Sequence, residues 1–262
     1  MSYLFDPDNW EWLVTGNNVR FILEGFAVNL EIAVIAMVLS LIVGLALALA
    51  RLAPWAPVSF VAGAWIDIFR NLPLIFIILY LALSIPGSWP DTYEDLIPSW
   101  FPEGLQSGRV LAAILGLVLY NSAVLAEIMR AGILSLDRGQ NEAARALGMS
   151  YAQSMQMVVL PQGLRRMVPA TVSQLITLNK DTTLVSIVAI QEVMRHGRIV
   201  TSANFFGGVQ APVLQVFLFI GALFIIVNLL LSRLSRRLEV VESKRTAVGD
   251  VKRVRGLEEQ AV

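Results

Sequence analysis

The chain has no cysteine and a single histidine, His196. Disulfide frameworks, thiolate nucleophiles and cysteine-based metal or redox sites are thereby excluded, and one imidazole leaves little scope for histidine chemistry. Charge is also scarce. Of 262 residues 15% are charged against 56% hydrophobic, with a mean hydropathy of +0.67, too apolar for a soluble domain that must cover its core with polar surface. The solvent for most of this chain is lipid. No G-x-x-x-x-G-K-[ST] phosphate loop occurs, so ATP cannot be bound in the P-loop manner. Residues 1–18 hold Asp6, Asp8 and Glu11 and no basic residue, unlike the positive start of a cleavable signal peptide. No internal repeat is evident.

What is present is a series of long apolar runs. A helix needs about 20 predominantly apolar residues to cross a bilayer core. Residues 26–49 supply this with one interior charge, Glu31, and residues 110–126, 167–190 and 212–231 are further candidates. Residues 60–85 are interrupted by Asp67, Arg70, Asn71 and Pro73, so this span either takes in those polar residues or breaks there. The expectation is an all-α polytopic membrane protein with five transmembrane helices and its termini on opposite sides. Segment 86–108 contains Asp91, Glu94, Asp95 and Glu103 but no Lys or Arg, whereas segment 130–166 contains Arg130, Arg138, Arg145, Arg165 and Arg166. The positive-inside rule places the second in the cytoplasm and the amino terminus outside. The chain then divides into an extracytoplasmic segment 1–25, a transmembrane domain 26–232 with a cytoplasmic loop 135–165, and a basic cytoplasmic tail 233–262. Beyond residue 243 the tail lacks apolar periodicity and is expected to have no fixed fold. Trp10, Trp12, Trp89 and Trp100 read as interface anchors, His196 as a solvated loop residue, and Gly207-Gly208 as a turn.

The loop between the third and fourth spans reads as two short helices. Asp137 can cap the first, Gly148 offers a left-handed stop after Leu147, and Ser150 with Gln153 forms a capping box for the second. Ala143, Ala144 and Leu147 share one helical face, where small side chains permit close approach by another protein. On these residues alone the hairpin either docks a partner or merely joins two spans.

Polar groups at membrane depth need a reason, since an ionisable side chain there costs about 2.5 to 3.5 kcal/mol on insertion scales. Lys180 and Asp181 lie within the fourth span. Asn179, Lys180, Asp181, Thr182 and Thr183 either line a path for a zwitterionic solute or form an internal network that fixes packing. Arg70 either pairs with Asp67 one turn earlier or sits at a helix break beside Pro73. Glu127 and Arg130 read as an i,i+3 pair.

Glu142-Ala143-Ala144, Gly148 and, after nine residues and Val158, Leu160-Pro161 together resemble the EAA loop of bacterial ABC importer permeases. Arg70-Asn-Leu-Pro-Leu74, Ala126-Glu-Ile-Met-Arg-Ala-Gly-Ile133, Gly139-Gln140, Leu160-Pro-Gln162 and Lys180-Asp-Thr-Thr-Leu184 narrow the resemblance to the polar amino acid permeases. Val158 stands where isoleucine is common, Asn71-Leu72 replaces Gly-Thr, and residues 121–124 depart from the usual small-aromatic pattern. The resemblance implies a type I importer permease fold in the bacterial cytoplasmic membrane. It also implies that Glu142, Ala143, Ala144, Leu147, Gly148, Leu160 and Pro161 dock on a separate ATPase, while Arg70, Asn71, Asn121 and residues 179–183 line the solute path. The implied partners are a second permease subunit, two ATPase subunits, an extracytoplasmic solute-binding protein and lipid, with no nucleic acid. The implied cargo is a polar amino acid, glutamate or glutamine favoured. The chain itself would be no enzyme and hold no cofactor, ATP and magnesium residing on the ATPase. The rivals are a motor-free secondary transporter or channel using Lys180 and Asp181 for ion coupling, and a non-transporting membrane scaffold or receptor.

Overall fold

The computed structural model describes residues 6–202 and 211–260, with side chains for all of these except Arg138 and residues 241–260; Gly207-Gly208 lies outside the described residues. A 3-10 turn, Pro7–Leu13, precedes α1 (Asn18–Arg51). Asn18 is buried and donates its side-chain amide to the carbonyls of Trp12 (3.3 Å) and Thr15 (3.2 Å). The helix therefore starts eight residues before the apolar run. Trp12 is the turn's contribution to the core, 1% exposed and edge-on to Phe219 at 5.8 Å, and not the interface anchor expected of it. Trp89 and Trp100 are exposed.

The interrupted second span is two helices, α2 (Ala56–Asn71) and α3 (Leu74–Ser84), bent by 101°. Leu72 is extended because the Pro73 ring clashes with a helical residue before it. The Asn71 side chain meanwhile donates 2.7 Å to the Asp67 carbonyl, a second bond within the last turn of α2. α4 (Ser88–Leu96) follows. Outside the spans, the Tyr93 hydroxyl donates 2.8 Å to the Leu105 carbonyl, and burial pushes that hydroxyl above its ordinary pKa.

α5 (Arg109–Leu134) is the central helix, packed by α1, α2 and α3. α6 (Arg138–Ala146) and the short α7 (Tyr151–Ser154) form the hairpin. α7 runs through a π turn, Met155–Val159, into α8 (Leu160–Asp181), then a 3-10 segment, Thr182–Val188. The expected second loop helix is therefore the leading end of the next long helix. α9 (Val193–Ser202) and α10 (Val213–Gln260) complete the chain, and no strand occurs among the described residues. The backbone of α10 stays helical to Gln260, where no fixed fold was expected; extending an existing helix avoids the nucleation cost, and the tail is rich in Arg, Lys, Glu and Leu.

α1, α5 and the Val213–Val240 part of α10 are long and apolar enough to cross a bilayer, and the α2–α3 pair counts as a fourth, broken crossing. α8 occupies the place of the remaining expected span but is too polar to qualify by composition. It is held by the same protein contacts that bury its polar groups. The main core joins Ile32, Ala36, Ile78, Leu117, Leu125 and Leu178. α5 and α8 approach closely at glycines: a Cβ on Gly132 would lie 3.0 Å from the Gly163 carbonyl oxygen, and one on Gly163 would lie 3.0 Å from Ile133 Cα. Small residues allow such backbone contact between helices in lipid. Gly163→Val is expected to force these helices apart and to destabilise the folded protein by about 1 to 3 kcal/mol. A lowered thermal unfolding midpoint in detergent would register this.

Candidate functional site

The polar residues of α8 sort by what they touch. At the end away from the hairpin, Asn29 of α1 is fully buried and donates to Thr182 Oγ1 (3.0 Å) and to Glu192 Oε2 (3.1 Å), while its carbonyl oxygen accepts the Val193 N–H (3.0 Å). Glu192 Oε1 accepts the Arg195 N–H at 2.8 Å and so caps α9. Ala189 lies between the two bonded residues Thr182 and Glu192 in sequence, and its φ of +61° is left-handed and costs a residue with a Cβ roughly 1 to 2 kcal/mol. His196 belongs to the same end. It is buried, stacked on Phe21 with ring centroids 3.8 Å apart, and its Nδ1 lies 2.6 Å from the Phe21 carbonyl oxygen. The expectation of a solvated histidine is thus corrected: a flat aromatic face on α1 covers the imidazole.

One turn lower, Asn179 is buried and donates 3.1 Å to Asn228 of α10. Lower again, Gln174 donates 2.8 Å to Asn121, whose own amide returns to the Leu117 carbonyl at 2.8 Å. Asn121 is fully buried. Asn121, Asn179 and Thr182 therefore spend polar atoms on cross-links between helices. Lys180 is exposed and makes no salt bridge or hydrogen bond among the described residues, and Thr183 returns its hydroxyl to the Lys180 carbonyl at 2.8 Å. Asp181 is half-buried beside Lys180.

Arg70 does not pair with Asp67. Its guanidinium reaches across to Glu127 of α5 at 3.7 Å, and Glu127 also holds Arg130 at 2.8 Å. The helix break thus points Arg70 at α5, with Asn71 exposed beside it. The pairs Asn121–Gln174 and Gly132–Gly163 fix one antiparallel register for α5 and α8. In that register Lys180 stands near residue 115 of α5, about 18 Å along the helix axis from Glu127 at 1.5 Å per residue. Arg70 and Lys180 therefore occupy two levels of the bundle. A cavity of about 260 Å³ between α3, α5 and the 3-10 segment is lined by Leu79, Leu83, Ala112, Ile187 and Val188 with Arg109 at its edge. That apolar lining suits hydrocarbon better than a zwitterion.

The hairpin has the expected local chemistry. Asp137 accepts the Gly139 N–H at 2.9 Å, Gly148 has φ +83°, and the reciprocal Ser150–Gln153 capping box is present. Ser154 ties its two arms by donating 2.7 Å to Asn141. Glu142, Ala143 and Leu147 are exposed, Leu147 at 80%, but Ala144 is 4% exposed and turned toward its own chain, where α6 lies against the π turn. The open face is therefore narrower than the three residues expected. Leu160 is half-buried and Pro161 exposed. Pro161 brings no N–H, and the π turn spans its approach with the Leu160 N–H on the Met155 carbonyl; Gln162 adds its side-chain amide to the Val158 carbonyl at 2.9 Å.

An apolar bundle with buried amide cross-links and one projecting helical hairpin has a counterpart among known proteins. The family described as the inner membrane component of binding-protein-dependent transport systems matches residues 40–240. The chain belongs to this family. It is 36% identical over 223 residues to a probable glutamine ABC transporter permease protein of Bacillus subtilis, covering 85% of this chain and 94% of that one. Against the glutamate/aspartate import permease protein of Escherichia coli it is 33% identical over 232 residues, covering 87% and 98%. A solved amino acid ABC transporter crystallised with histidines superimposes with a TM-score of 0.67 at 27% identity, covering 86% of this chain and 94% of that one. The chain is thus a multi-pass inner-membrane permease of the amino acid ABC importer class with the type I permease fold, a transport component and not an enzyme.

The residues that the sequence reading passed over are Asn29, Gln174, Glu192 and Asn228. Asn29 and Asn228 sit inside apolar runs, so the criterion that singled out Lys180 applied to them as well. Leucine at position 121 leaves the Gln174 amide without its acceptor and is expected to cost about 1 to 3 kcal/mol. Replacing both residues by leucine should recover part of that loss. Unfolding midpoints of wild type, Asn121→Leu, Gln174→Leu and the double variant check this, and strict additivity would show that the pair is not a cross-link.

Proposed function

We propose that this permease forms the solute path of an ATP-driven importer for a polar amino acid, glutamate or glutamine favoured, working by alternating access. In this reading the chain pairs with a second permease subunit, two ATPase subunits bind ATP and magnesium, and an extracytoplasmic binding protein delivers solute. The amino terminus and segment 1–25 lie outside, the membrane domain spans 26–232, and the hairpin 135–165 and the tail 233–262 lie in the cytoplasm, as the arginine distribution favours.

The observation that carries this reading is the hairpin. It presents Glu142, Ala143 and Leu147 on a face its own chain leaves open, and caps at both arms keep it rigid enough to transmit a push. A simple connector gains nothing from an exposed leucine. Gly148, Leu160 and Pro161 shape the hairpin and its junction with α8, and Ala144 seats it. Within the membrane Lys180, with Asp181 and Thr183 near it, offers a charge not used in packing, and Arg70 and Asn71 stand at the second level by the helix break. Asn121, Asn179 and Thr182 contribute to the path as its frame. The match to glutamine and glutamate permeases supports the cargo class.

Uptake of labelled glutamate and glutamine into vesicles carrying the full complex tests the proposal, with Gly148→Asp as the variant. A Cβ at Gly148 meets nothing within 4 Å in its own chain, and aspartate tolerates the left-handed region better than most residues. The hairpin fold should therefore survive while the docking face changes. The expected result is ATP-dependent uptake in wild type that falls at least about tenfold in the variant, a coupling loss on the order of 1.4 kcal/mol. Uptake without ATP would favour a motor-free transporter, and partner binding without solute flux would favour a scaffold.

A further inference from the structure

α1 ends at Arg51, and the last carbonyls of a helix have no donor within it. The Leu52 and Ala53 N–H groups close the Ala48 and Ala50 carbonyls at 3.1 and 3.2 Å, but Pro54 follows and supplies no N–H, which leaves the Arg51 and Leu52 carbonyls to other donors. Two side chains from elsewhere supply them. Ser59 of α2 donates its hydroxyl to the Arg51 carbonyl at 2.7 Å, and Arg51 Nη1 returns a bond to the Ser59 carbonyl at 3.0 Å. The Leu52 carbonyl accepts the hydroxyl of Tyr151 at 2.8 Å, across 99 positions of sequence. Tyr151 is the first residue of α7, fixed by the Ser150–Gln153 capping box immediately after the left-handed Gly148. The hairpin therefore grips the corner between α1 and α2 by one hydroxyl.

We infer that Tyr151 is a positioning residue for transport: its hydroxyl on the Leu52 carbonyl carries displacement of the hairpin to the corner between α1 and α2. The inference rests on the reading of the hairpin as the motor contact. From that corner the reciprocal Arg51–Ser59 bonds lead into α2, and the far end of α2 holds Arg70 against Glu127 at the 101° break. Without the hydroxyl, the hairpin still drives α8, with which it is continuous, but α1 and α2 follow only through helix packing, chiefly on α5, and no longer through the corner. Nucleotide hydrolysis then proceeds with less solute moved.

The test is Tyr151→Phe in the assembled complex, which keeps the ring and removes only the donor. Solute imported per ATP hydrolysed should fall about fivefold, within the worth of one such hydrogen bond, while ATP hydrolysis and complex assembly stay within about twofold of wild type. An unchanged ratio overturns the inference. A second measurement uses the absence of native cysteine. Leu52→Cys with Tyr151→Cys, joined by a short bifunctional reagent, should restore the ratio above that of the unjoined pair, because the bridge replaces the lost tie. Failure to restore it, or arrest of uptake on bridging, overturns the inference as well. Should Gly148→Asp leave uptake unchanged, the hairpin reading itself fails; should Gly148→Asp abolish uptake and Tyr151→Phe leave the ratio intact, only this inference fails.

Discussion

A bilayer offers no water to a backbone carbonyl or N–H, so every place where a helix ends, breaks or meets a proline inside this protein must be satisfied by the protein. Several side-chain hydrogen bonds in the structure serve the same need, within the bundle and at its rim. Ser59 covers the Arg51 carbonyl at the end of α1, and at the base of the hairpin Tyr151 covers the Leu52 carbonyl while Gln162 adds a donor to the π turn before Pro161. Ser235 of α10 adds a donor to the Pro169 carbonyl within α8 at 3.1 Å and so ties the two helices together. The prolines create the irregular backbone, and a polar side chain close in space or sequence repairs it.

These repairs also decide what is free to act. Asn29 with Thr182 and Glu192, Asn121 with Gln174, and Asn179 with Asn228 bond across helices, which commits these polar groups to packing. The left-handed Ala189 donates its N–H to the Ser186 carbonyl at 3.1 Å, between Thr182 and Glu192, which Asn29 joins. Lys180 stands out against that background. It carries a charge that packing does not consume, next to a segment whose geometry is fixed by its neighbours.

Much of this was legible in the sequence because the signals are local. The capping box at Ser150, the cap at Asp137 and the left-handed Gly148 depend on residues within one turn, and each appears in the structure. The break at Asn71–Pro73 was visible as one of two alternatives, and proline sterics settled it. What was not legible depends on partners far along the chain. Arg70 chose Glu127, 57 positions away, over Asp67 one turn back; Trp12 and His196 became buried through Phe219 and Phe21. Asn121 and Lys180 look equally out of place in an apolar run, yet Asn121 is a cross-link because it faces a complementary amide, while Lys180 is exposed and makes no salt bridge among the described residues. Sequence spacing supplies neighbours on the same helix and is silent about the neighbour across the groove.

The continuity of α7, the π turn and α8 has a mechanical consequence. Had the hairpin been two separate helices joined to the membrane domain by a flexible loop, a force on its exposed face would dissipate in backbone rotation. A helix resists bending because most backbone groups along it are already bonded; prolines weaken this one at Pro161, where Gln162 adds a bond to the Val158 carbonyl, and at Pro169, where Ser235 of α10 bonds the Pro169 carbonyl. The hairpin therefore moves with α8, and α8 is clamped to α5 at Gly132–Gly163 and Asn121–Gln174. A push at Leu147 reaches membrane depth through bonded backbone and packed glycine rather than through a chain of soft side chains. If α8 moves in the proposed cycle, it can carry buried amides only if their partners move with it or are regained at the end of the step, since each unpaired amide costs about 1 to 3 kcal/mol. Exchange of partners between a few amides, with no net loss of hydrogen bonds, is the kind of change that leaves two arrangements close in energy.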